Sequence, residues 1–438
     1  MDLTHFAKTN WRSQNRLFGI KDEDRLQHIF CFGKTGVGKS TLLLTMAVSD
    51  IVNGKGVAVL DPHGDLAETL LNYIPEHRIK DVIYFDASDL AHPITFNPLH
   101  SFSRETNHIL ISGMLSSLKK IWSESWGPRL EYILRYCLLS LLQYPNATLL
   151  HIQPLLTNNY FRQEVLEYVK DDFIHRFWFD EFERYSPSLR SEAISPILNK
   201  VGVFASCEPL RNIIGQAKST FNFSELMNED KIFIANLSKG IIGEDVSKIL
   251  GCLLISHLQV AALGRASIPI HERNPFYAYI DEAQNYLTDA IGEILSEARK
   301  FRLSLFLTNQ YLDQIDDVTR AAIFGNVGTI ICFRTGAEDA LYLAKEFYPT
   351  FSEHDFINLP KYSIYLKLMI DGVTSKPFSA ITFPLPPVVK SFRREIITSS
   401  KAQFGAPTDN VKSEFIYQYA VNRAIKPRNL FEEEGKIQ

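Results

Sequence analysis

The feature that most constrains the fold of this chain is the stretch at residues 28–41, which reads HIFCFGKTGVGKST. It places the pattern G-x-x-x-x-G-K-[ST] between an apolar run typical of a strand and a run typical of a helix, and in that context the pattern indicates a nucleotide phosphate site. Glycines allow the backbone to curl until its N–H groups point at phosphate oxygens, and the start of a helix favours negative charge. The alternative, a glycine-rich turn with a solvated lysine, does not account for the flanking strand and helix.

The loop and the helix start supply the expected phosphate contacts. Lys39 should reach the β- and γ-phosphates, which also makes it a predicted catalytic residue, and Ser40 should hold Mg²⁺. The predicted nucleotide-binding residues are Gly33, Lys34, Thr35, Gly36, Val37, Gly38, Lys39, Ser40 and Thr41.

A second apolar run, at residues 276–280, ends in two carboxylates, Asp281 and Glu282. Asp281 lies where a second strand can contribute to the Mg²⁺ coordination from across the phosphate loop. Glu282 is placed to polarise the attacking water, as a hydrolase requires. An acidic pair at a strand end can be merely solvated, but together with the complete phosphate loop it predicts a hydrolytic site.

Two more residues are catalytic candidates. Gln310 follows a predicted strand at residues 303–308 and could bond the γ-phosphate or its water, although a helix cap or loop residue is the simpler interpretation of such an amide. Arg299 ends a predicted helix, where a cation is favourable whatever its function. The more specific hypothesis is that Arg299 acts on the nucleotide of a neighbouring subunit, which requires a ring.

Two other reaction classes fit less well. Residues 61–64 match the D-x-x-G pattern of GTP switches, but no N-K-x-D guanine reader is present, since Asn199 and Lys200 are followed by Val and Gly. A small-molecule kinase would need neither the acidic pair nor a large helical insertion. ATP and Mg²⁺ are therefore the expected cofactors, and His63, a lone histidine in a turn, is more often structural than catalytic.

Strands alternate with helices on both sides of a long stretch that has only helical periodicity, which predicts an α/β fold with a largely parallel central sheet and an inserted all-α domain. The predicted organisation is an N-terminal lead-in at residues 1–27, a discontinuous ATPase core at 28–103 and 228–384, a helical insertion at 104–227, and a C-terminal helical tail at 385–438.

Composition bounds the partners and the compartment. A net charge of −4 gives no overall basic field, although a ring can concentrate a few cations on one surface. The five cysteines form no C-x-x-C pair, which indicates a reducing compartment and no zinc site. No secretory signal is evident, and the longest apolar run, residues 249–263, is short for a bilayer, so we expect a cytoplasmic protein without an integral membrane segment.

Several motifs, in order along the chain, resemble those of TraG-like conjugative coupling ATPases of type IV secretion, within the HerA–FtsK branch of RecA-like motors. They are FGIKDEDRLQHIFCFGKTGVGKST, DPHGDL, FNPLH, the run at residues 126–132, ANLSKG, IDEAQ and ARKFRLSLFLTNQ. The resemblance spans roughly residues 12–425. It implies a RecA-like sheet, a helical insertion, a hexameric ring and ATP-driven pumping of DNA through the ring.

The family roles fall on Lys39 and Ser40, on Asp281 and Glu282, on Gln310 as the sensor and on Arg299 as the arginine acting in trans. Membrane-anchored members carry transmembrane helices before the phosphate loop, whereas here only about thirty polar residues precede it. We therefore expect a soluble relative without the anchor that serves another DNA process, including mobile-element transfer or defence.

Three hypotheses remain open from the sequence. The first is a ring motor that hydrolyses ATP and translocates DNA. The second is an ATP-gated assembly or secretion ATPase whose helical insertion binds a protein partner. The third is an ATP-binding scaffold that hardly turns over.

Overall fold

The computed structural model describes residues 3–10, 14–100, 106–288 and 291–406. The chain divides into two compact units. The first, here called the sheet unit, comprises Met1–Asp89, Ser101–Trp126 and Thr220–Gly405. The second, the helical unit, comprises Leu90–His100, Gly127–Ser219 and Ala406–Gln438.

The strands all belong to the sheet unit. They are β1 Leu3–Thr9, β2 Leu17–Lys21, β3 Ile29–Phe32, β4 Gly56–Asp61, β5 Val82–Asp86, β6 Ile232–Asn236, β7 Phe276–Ile280, β8 Leu303–Asn309, β9 Thr329–Cys332, β10 Ser363–Lys367, β11 Met369–Ile370, β12 Val373–Thr374 and β13 Phe378–Thr382. Among the described residues, β11 and β12 form a small hairpin and the others form one sheet in the order β2-β1-β13-β10-β9-β3-β8-β7-β4-β6-β5.

The half of this sheet from β9 to β5 is parallel throughout, and the strands on the other side of β9 are antiparallel. Strands β3, β4, β6, β7, β8 and β9 are buried at every position. Continuous apolar strands of this kind are typical of a parallel sheet that is covered on both faces. The predicted fold class is confirmed.

The helices fall in both units. They are α1 Asp22–Arg25, α2 Lys39–Val52, α3 Asp65–Leu70, α4 Asn107–Ile121, α5 Pro128–Leu141, α6 Ile152–Thr157, α7 Asn159–Tyr168, α8 Asp172–Arg176, α9 Pro187–Ser206, α10 Glu208–Ile214, α11 Phe223–Asn228, α12 Lys239–Ile242, α13 Glu244–Gly264, α14 Ile291–Glu297, α15 Asp317–Asn326, α16 Ala337–Glu346, α17 Glu353–Ile357 and α18 Arg393–Phe404. Helices α5 to α10 form the helical unit.

The N-terminal segment differs from the lead-in predicted for residues 1–27, because it contributes β1 and β2 to the sheet. In β1 the residues Thr4, Phe6 and Ala7 are buried and their neighbours Leu3 and His5 are exposed. This alternation is typical of an antiparallel strand near a sheet edge. It contains too few apolar residues to be recognised as a strand from the sequence.

Helix α4 belongs to the sheet unit, so the helices of the helical unit begin at Pro128, later than the insertion predicted at residues 104–227. The Ser117 hydroxyl of α4 lies 3.0 Å from that of Ser256 in α13, and Gly113 allows α4 to approach the same serine closely. The apolar spacing of α4 resembles that of the helices that follow it, and periodicity alone does not identify the element against which a helix packs.

Helix α13 is central to the sheet unit. Residues Glu244–Ser267, which comprise α13 and the turn after it, form one helix among the described residues that could cross a membrane by length and composition alone. In its most apolar window 89% is buried inside the protein, as expected of a core helix. The helix extends beyond both ends of the apolar run at residues 249–263.

The helical unit has an aromatic core. Trp178 is fully buried and its indole N–H donates a hydrogen bond of 2.8 Å to the Ser140 hydroxyl. The ring of Phe177 stacks on Tyr136 with centroids 4.1 Å apart. These aromatic side chains pack helices of the unit together.

The predicted tail at residues 385–438 is described only in part. Helix α18 belongs to the sheet unit and packs on β5, where the Ser400 hydroxyl accepts a hydrogen bond of 2.9 Å from the Tyr84 N–H. Residues 407–438 lie outside the described residues, so the rest of the predicted helical tail stays a prediction.

A buried histidine directly before β3 is bonded to both α14 and β8. His28 accepts a hydrogen bond from the Leu305 N–H at Nδ1 (3.1 Å), and its Nε2 lies 3.0 Å from the Leu295 carbonyl oxygen. Nε2 is therefore the protonated nitrogen of a neutral ring. Burial, with a smaller contribution from the charge of Arg299, lowers the pKa of His28 to about 4, although the hydrogen bond with Leu295 acts in the opposite direction.

We expect this histidine to make stability depend on pH. The ordinary pKa of histidine is near 6.5, so between about pH 4 and 6.5 the unfolded chain binds more protons and stability rises with pH. The contribution of His28 to the free energy of unfolding should be about 2.5 kcal/mol smaller at pH 4.5 than at pH 7.5. Between pH 7.5 and 4.5, urea unfolding should show that the wild type and the exposed-histidine control His271→Asn lose about 2.5 kcal/mol more stability than His28→Asn does. Asparagine suits the left-handed backbone of residue 28, where φ is 64°. An unchanged loss in His28→Asn would contradict the assignment.

Candidate functional site

The phosphate loop connects β3 to α2. Gly33, Gly36 and Gly38 have φ values of 149°, 76° and 123°, which L side chains rarely adopt. At Gly33 an added Cβ would also lie 2.7 Å from the Cβ of Phe333. The loop can therefore keep this shape only with glycine at these positions.

Lys39, the first residue of α2, lies across the inside of the loop. It is buried, and its ammonium group donates hydrogen bonds to the carbonyl oxygens of Gly33 (2.6 Å) and Lys34 (3.0 Å). Ser40 and Thr41 follow in the first helical turn. A buried lysine at the start of a 14-residue helix creates a strongly positive site that suits phosphate oxygens.

The acidic residues lie at the same edge of the sheet, because β3, β8 and β7 are parallel neighbours and their carboxyl ends meet there. One cleft of about 400 Å³ contains most of the predicted side chains. It is lined by Thr35, Gly36, Gly38, Lys39, Ser40, Thr41, His63, Asp281, Glu282, Gln310, Lys361 and Tyr362.

Asp281 is almost fully buried just after β7. Burial raises its pKa to about 6, and the carboxylates of Glu282 and Asp61 act in the same direction. The Thr308 hydroxyl donates a hydrogen bond of 2.6 Å to Asp281 Oδ1, which partly offsets this rise in pKa. A carboxyl group held in this way gains from a nearby cation.

Glu282 has a left-handed backbone, with φ of 47°, which is uncommon for a residue other than glycine. Its N–H donates to the Thr308 hydroxyl (3.0 Å), so one threonine holds both the Asp281 carboxylate and the Glu282 backbone. Its carboxylate accepts hydrogen bonds from Gln284 at Oε2 (2.7 Å) and from Gln310 at Oε1 (2.6 Å). Backbone strain of about 1–3 kcal/mol that is held by several contacts is frequent at functional sites.

Gln310 links the two halves of the site. Its Oε1 accepts a hydrogen bond of 3.0 Å from the Thr35 hydroxyl, while its Nε2 donates to Glu282. The amide therefore spans from the phosphate loop to the carboxylate. A γ-phosphate and its attacking water would have to lie in this region.

Arg299 is the predicted site residue that the structure does not bring to this cleft. It lies in the short 3₁₀ turn Ala298–Phe301 before β8, whereas Gln310 follows the end of β8. A strand of seven residues spans about 20 Å, so the Arg299 backbone lies near the opposite edge of the sheet. Its side chain is exposed and lines a separate cavity of about 420 Å³ with residues 21–24, Arg302 and Asp371.

A comparison with models of protein families establishes the family of this chain. The family model for the central domain of the helicase HerA matches residues 21–239, which is half of the chain. The chain belongs to the HerA central-domain family. This confirms the predicted membership of the HerA–FtsK superfamily.

Solved structures show the same RecA-like fold as this HerA-family chain. The plasmid coupling protein TrwB in complex with a GTP analogue has a TM-score of 0.57 at 14% identity, covering 84% of this chain and 87% of that chain. TrwB with ADP and Mg²⁺ has a TM-score of 0.56 at 14% identity, covering 88% and 91%. VirB4 of Thermoanaerobacter pseudethanolicus has a TM-score of 0.59 at 12% identity, covering 90% and 98%. A comparison with curated protein sequences finds no significant match.

Some residues of the HerA-family site could not be identified from sequence patterns. Thr308 is one, because its role depends on the pairing of β8 with β7. Asp61 is another: its carboxylate accepts hydrogen bonds from the N–H groups of His63 (2.8 Å) and Ala67 (2.9 Å) and so orients the start of α3. The D-x-x-G pattern has a structural role here, and His63 is exposed at the rim of the cleft.

The residues fit a divalent cation that is bound together with phosphate. Among the described residues no group of three or more His, Cys, Asp or Glu side chains could hold a metal ion by itself. Mg²⁺ is usually held by one or two protein oxygens together with substrate phosphates and water. The Ser40 hydroxyl and the buried Asp281 carboxylate are oxygen donors that line the same cleft.

Proposed function

We propose that this HerA-family chain hydrolyses ATP with Mg²⁺ and uses the energy to translocate DNA as a ring, which we take to be a hexamer. The observation that carries the hydrolytic part is the connection from Thr35 through Gln310 to Glu282. Through these two hydrogen bonds a single amide side chain separates the Glu282 carboxylate from the phosphate loop. This separation suits the γ-phosphate of a triphosphate bound by the loop.

The chemistry follows from the positions of the side chains. Lys39, the loop N–H groups and the start of α2 bind the phosphates, and Thr41 adds a hydroxyl in the first turn. Ser40 and Asp281 would hold Mg²⁺, which when bound neutralises charge on the phosphate oxygens. Glu282 accepts a proton from the attacking water, and Gln310 orients that water.

Arg299 completes the proposed site from the adjacent subunit. In its own chain Arg299 lies near the edge of the sheet opposite the phosphate loop, and its side chain is exposed. An arginine placed in this way can stabilise the charge that develops on a neighbour's γ-phosphate. This arrangement requires a closed ring, because every site then receives its arginine from the next copy.

Two observations support DNA as the substrate, and a third supports the cytoplasm as the compartment. The family is that of a helicase, and the fold is shared with a plasmid coupling protein. All five cysteines are free, which suits a reducing compartment. Conjugation or another transfer of DNA is the process we propose.

DNA should stimulate ATP turnover by at least about tenfold at 50 mM salt, since a motor couples hydrolysis to its track. Because DNA binding releases counterions, the DNA concentration for half-maximal stimulation should rise by at least about tenfold at 200 mM salt. Phosphate release is measured with no DNA, with duplex DNA and with single-stranded DNA, with Lys39→Ala as the control for contaminating activity. Absence of stimulation by either DNA at low salt would refute DNA translocation.

A protein partner is the second candidate, and the surface of the helical unit favours it. Several of its aromatic residues are exposed: Tyr160 by 66%, Tyr168 by 47%, Phe173 by 72% and Phe179 by 50%. Exposed aromatic residues are enriched at protein interfaces. An assembly or secretion ATPase would be supported instead if ATP turnover responded neither to duplex nor to single-stranded DNA and a protein partner bound this surface independently of salt.

A further inference from the structure

Tyr362 lies in the cleft but has no role in the mechanism described above. Its backbone φ is 65°, which is strained for a bulky residue and occurs most often at functional sites. Its N–H donates a hydrogen bond of 2.9 Å to the Val37 carbonyl oxygen in the phosphate loop. Its carbonyl oxygen accepts hydrogen bonds from the N–H (3.0 Å) and the hydroxyl (3.2 Å) of Thr382. These contacts hold the strained conformation.

The Tyr362 ring is consequently fixed against the loop. An added Cβ on Gly38 would lie 2.8 Å from Cδ1 of this ring, so the ring and the glycine are in close contact. The residue is 39% exposed, and the Lys361 ammonium group lies 4.9 Å from the ring centroid. The cleft therefore presents the accessible ring of Tyr362, with the Lys361 cation beside it, next to Gly38 in the phosphate loop.

The order of strands places this ring and the acidic residues on opposite sides of the loop. Strands β8 and β7, which are followed by Gln310 and by Asp281, lie on one side of β3, while β9 and β10 lie on the other. Tyr362 directly precedes β10. If the γ-phosphate lies at Glu282, the α-phosphate and the nucleoside must extend toward Tyr362.

We infer that Tyr362 forms the nucleoside subsite, with its ring stacked against the base. This inference rests on the proposed function, because it assumes that the cleft binds a nucleoside triphosphate. Stacking of a base on an aromatic side chain typically changes affinity by about fivefold to a hundredfold. The phosphates alone do not contact the ring, so their affinity is independent of it.

Tyr362→Asn separates the nucleoside from the phosphates, since asparagine tolerates the left-handed backbone and removes the ring. The dissociation constants of ATP and of inorganic tripolyphosphate are measured with Mg²⁺ by competition against a fluorescent ATP analogue whose own affinity is determined for each variant. We expect ATP to bind at least about tenfold more weakly and tripolyphosphate within about twofold of wild type. Tyr362→Phe should bind ATP as the wild type does, and so should Tyr160→Asn, a matched change outside the sheet unit.

Two results would overturn the subsite. Unchanged ATP affinity in Tyr362→Asn would show that the ring does not contact the nucleoside. Equal weakening of ATP and tripolyphosphate would show that the tyrosine only supports the phosphate loop. Failure of the proposed function looks different. Wild-type protein that binds ATP without hydrolysing it would overturn the proposed motor and leave the subsite standing, whereas wild-type protein that binds neither ATP nor tripolyphosphate would overturn both.

Discussion

Glu282→Gln is expected to lower ATP turnover by about 10²–10⁴-fold while ATP still binds within about twofold of wild type. The amide keeps the size and the hydrogen-bonding reach of the side chain, so the contacts from Gln284 and Gln310 can be retained in part. It is not basic enough to accept a proton from water. Affinity for ATP depends chiefly on Lys39 and the phosphate loop, which the substitution does not touch.

Single-turnover hydrolysis and equilibrium binding of ATP distinguish these two effects. Glu293→Gln, which makes the same change at an exposed position on α14, should behave as the wild type. A scaffold that hardly turns over would be unaffected in its biological function by Glu282→Gln. A motor would lose its function and remain bound to ATP.

The parts of the fold that depend on local sequence could be predicted. The phosphate loop, the strand Phe276–Ile280 and the two carboxylates after it follow from short patterns of glycine, apolar and acidic residues. The alternation of strands and helices along the chain after residue 28 also follows, because hydrophobic periodicity changes where the element type changes. The site residues on β3, β7 and β8 then meet because neighbouring parallel strands end at the same edge.

Contacts between distant parts of the chain could not be predicted. Arg25 lies in a charged N-terminal segment that has the composition of a solvated lead-in. Its guanidinium is nevertheless 1% exposed, with hydrogen bonds of 2.7 Å to both carboxylate oxygens of Asp50 and to the Tyr279 hydroxyl. A buried charge becomes acceptable only when such partners surround it, and the sequence does not show which residues they are.

Tyr362 and Thr308 illustrate the same limit at the site itself. Tyr362 reaches the phosphate loop from more than 300 residues further along the chain, through the antiparallel strands that extend the sheet. Thr308 orients Asp281 and Glu282 through a single hydroxyl. Neither belongs to a motif, because each acts through the register of strands that are distant in sequence.

Arg299→Ala should reduce turnover by about 10³-fold or more without weakening ATP binding, if the guanidinium stabilises charge only in the transition state of a neighbouring site. Lys300→Ala, an adjacent exposed cation, should have little effect. Steady-state phosphate release and ATP binding by the assembled protein give both quantities.

Mixed rings of Arg299→Ala and Lys39→Ala chains distinguish action in trans from action within one chain. Each variant alone has no complete site. In a random equal mixture, about a quarter of the interfaces pair an intact phosphate loop with an intact arginine, so about a quarter of wild-type turnover should return if sites work independently. An arginine that served its own chain would restore nothing, because no chain in the mixture carries both residues. Recovery in co-assembled rings would therefore place the arginine of one subunit at the nucleotide of the next.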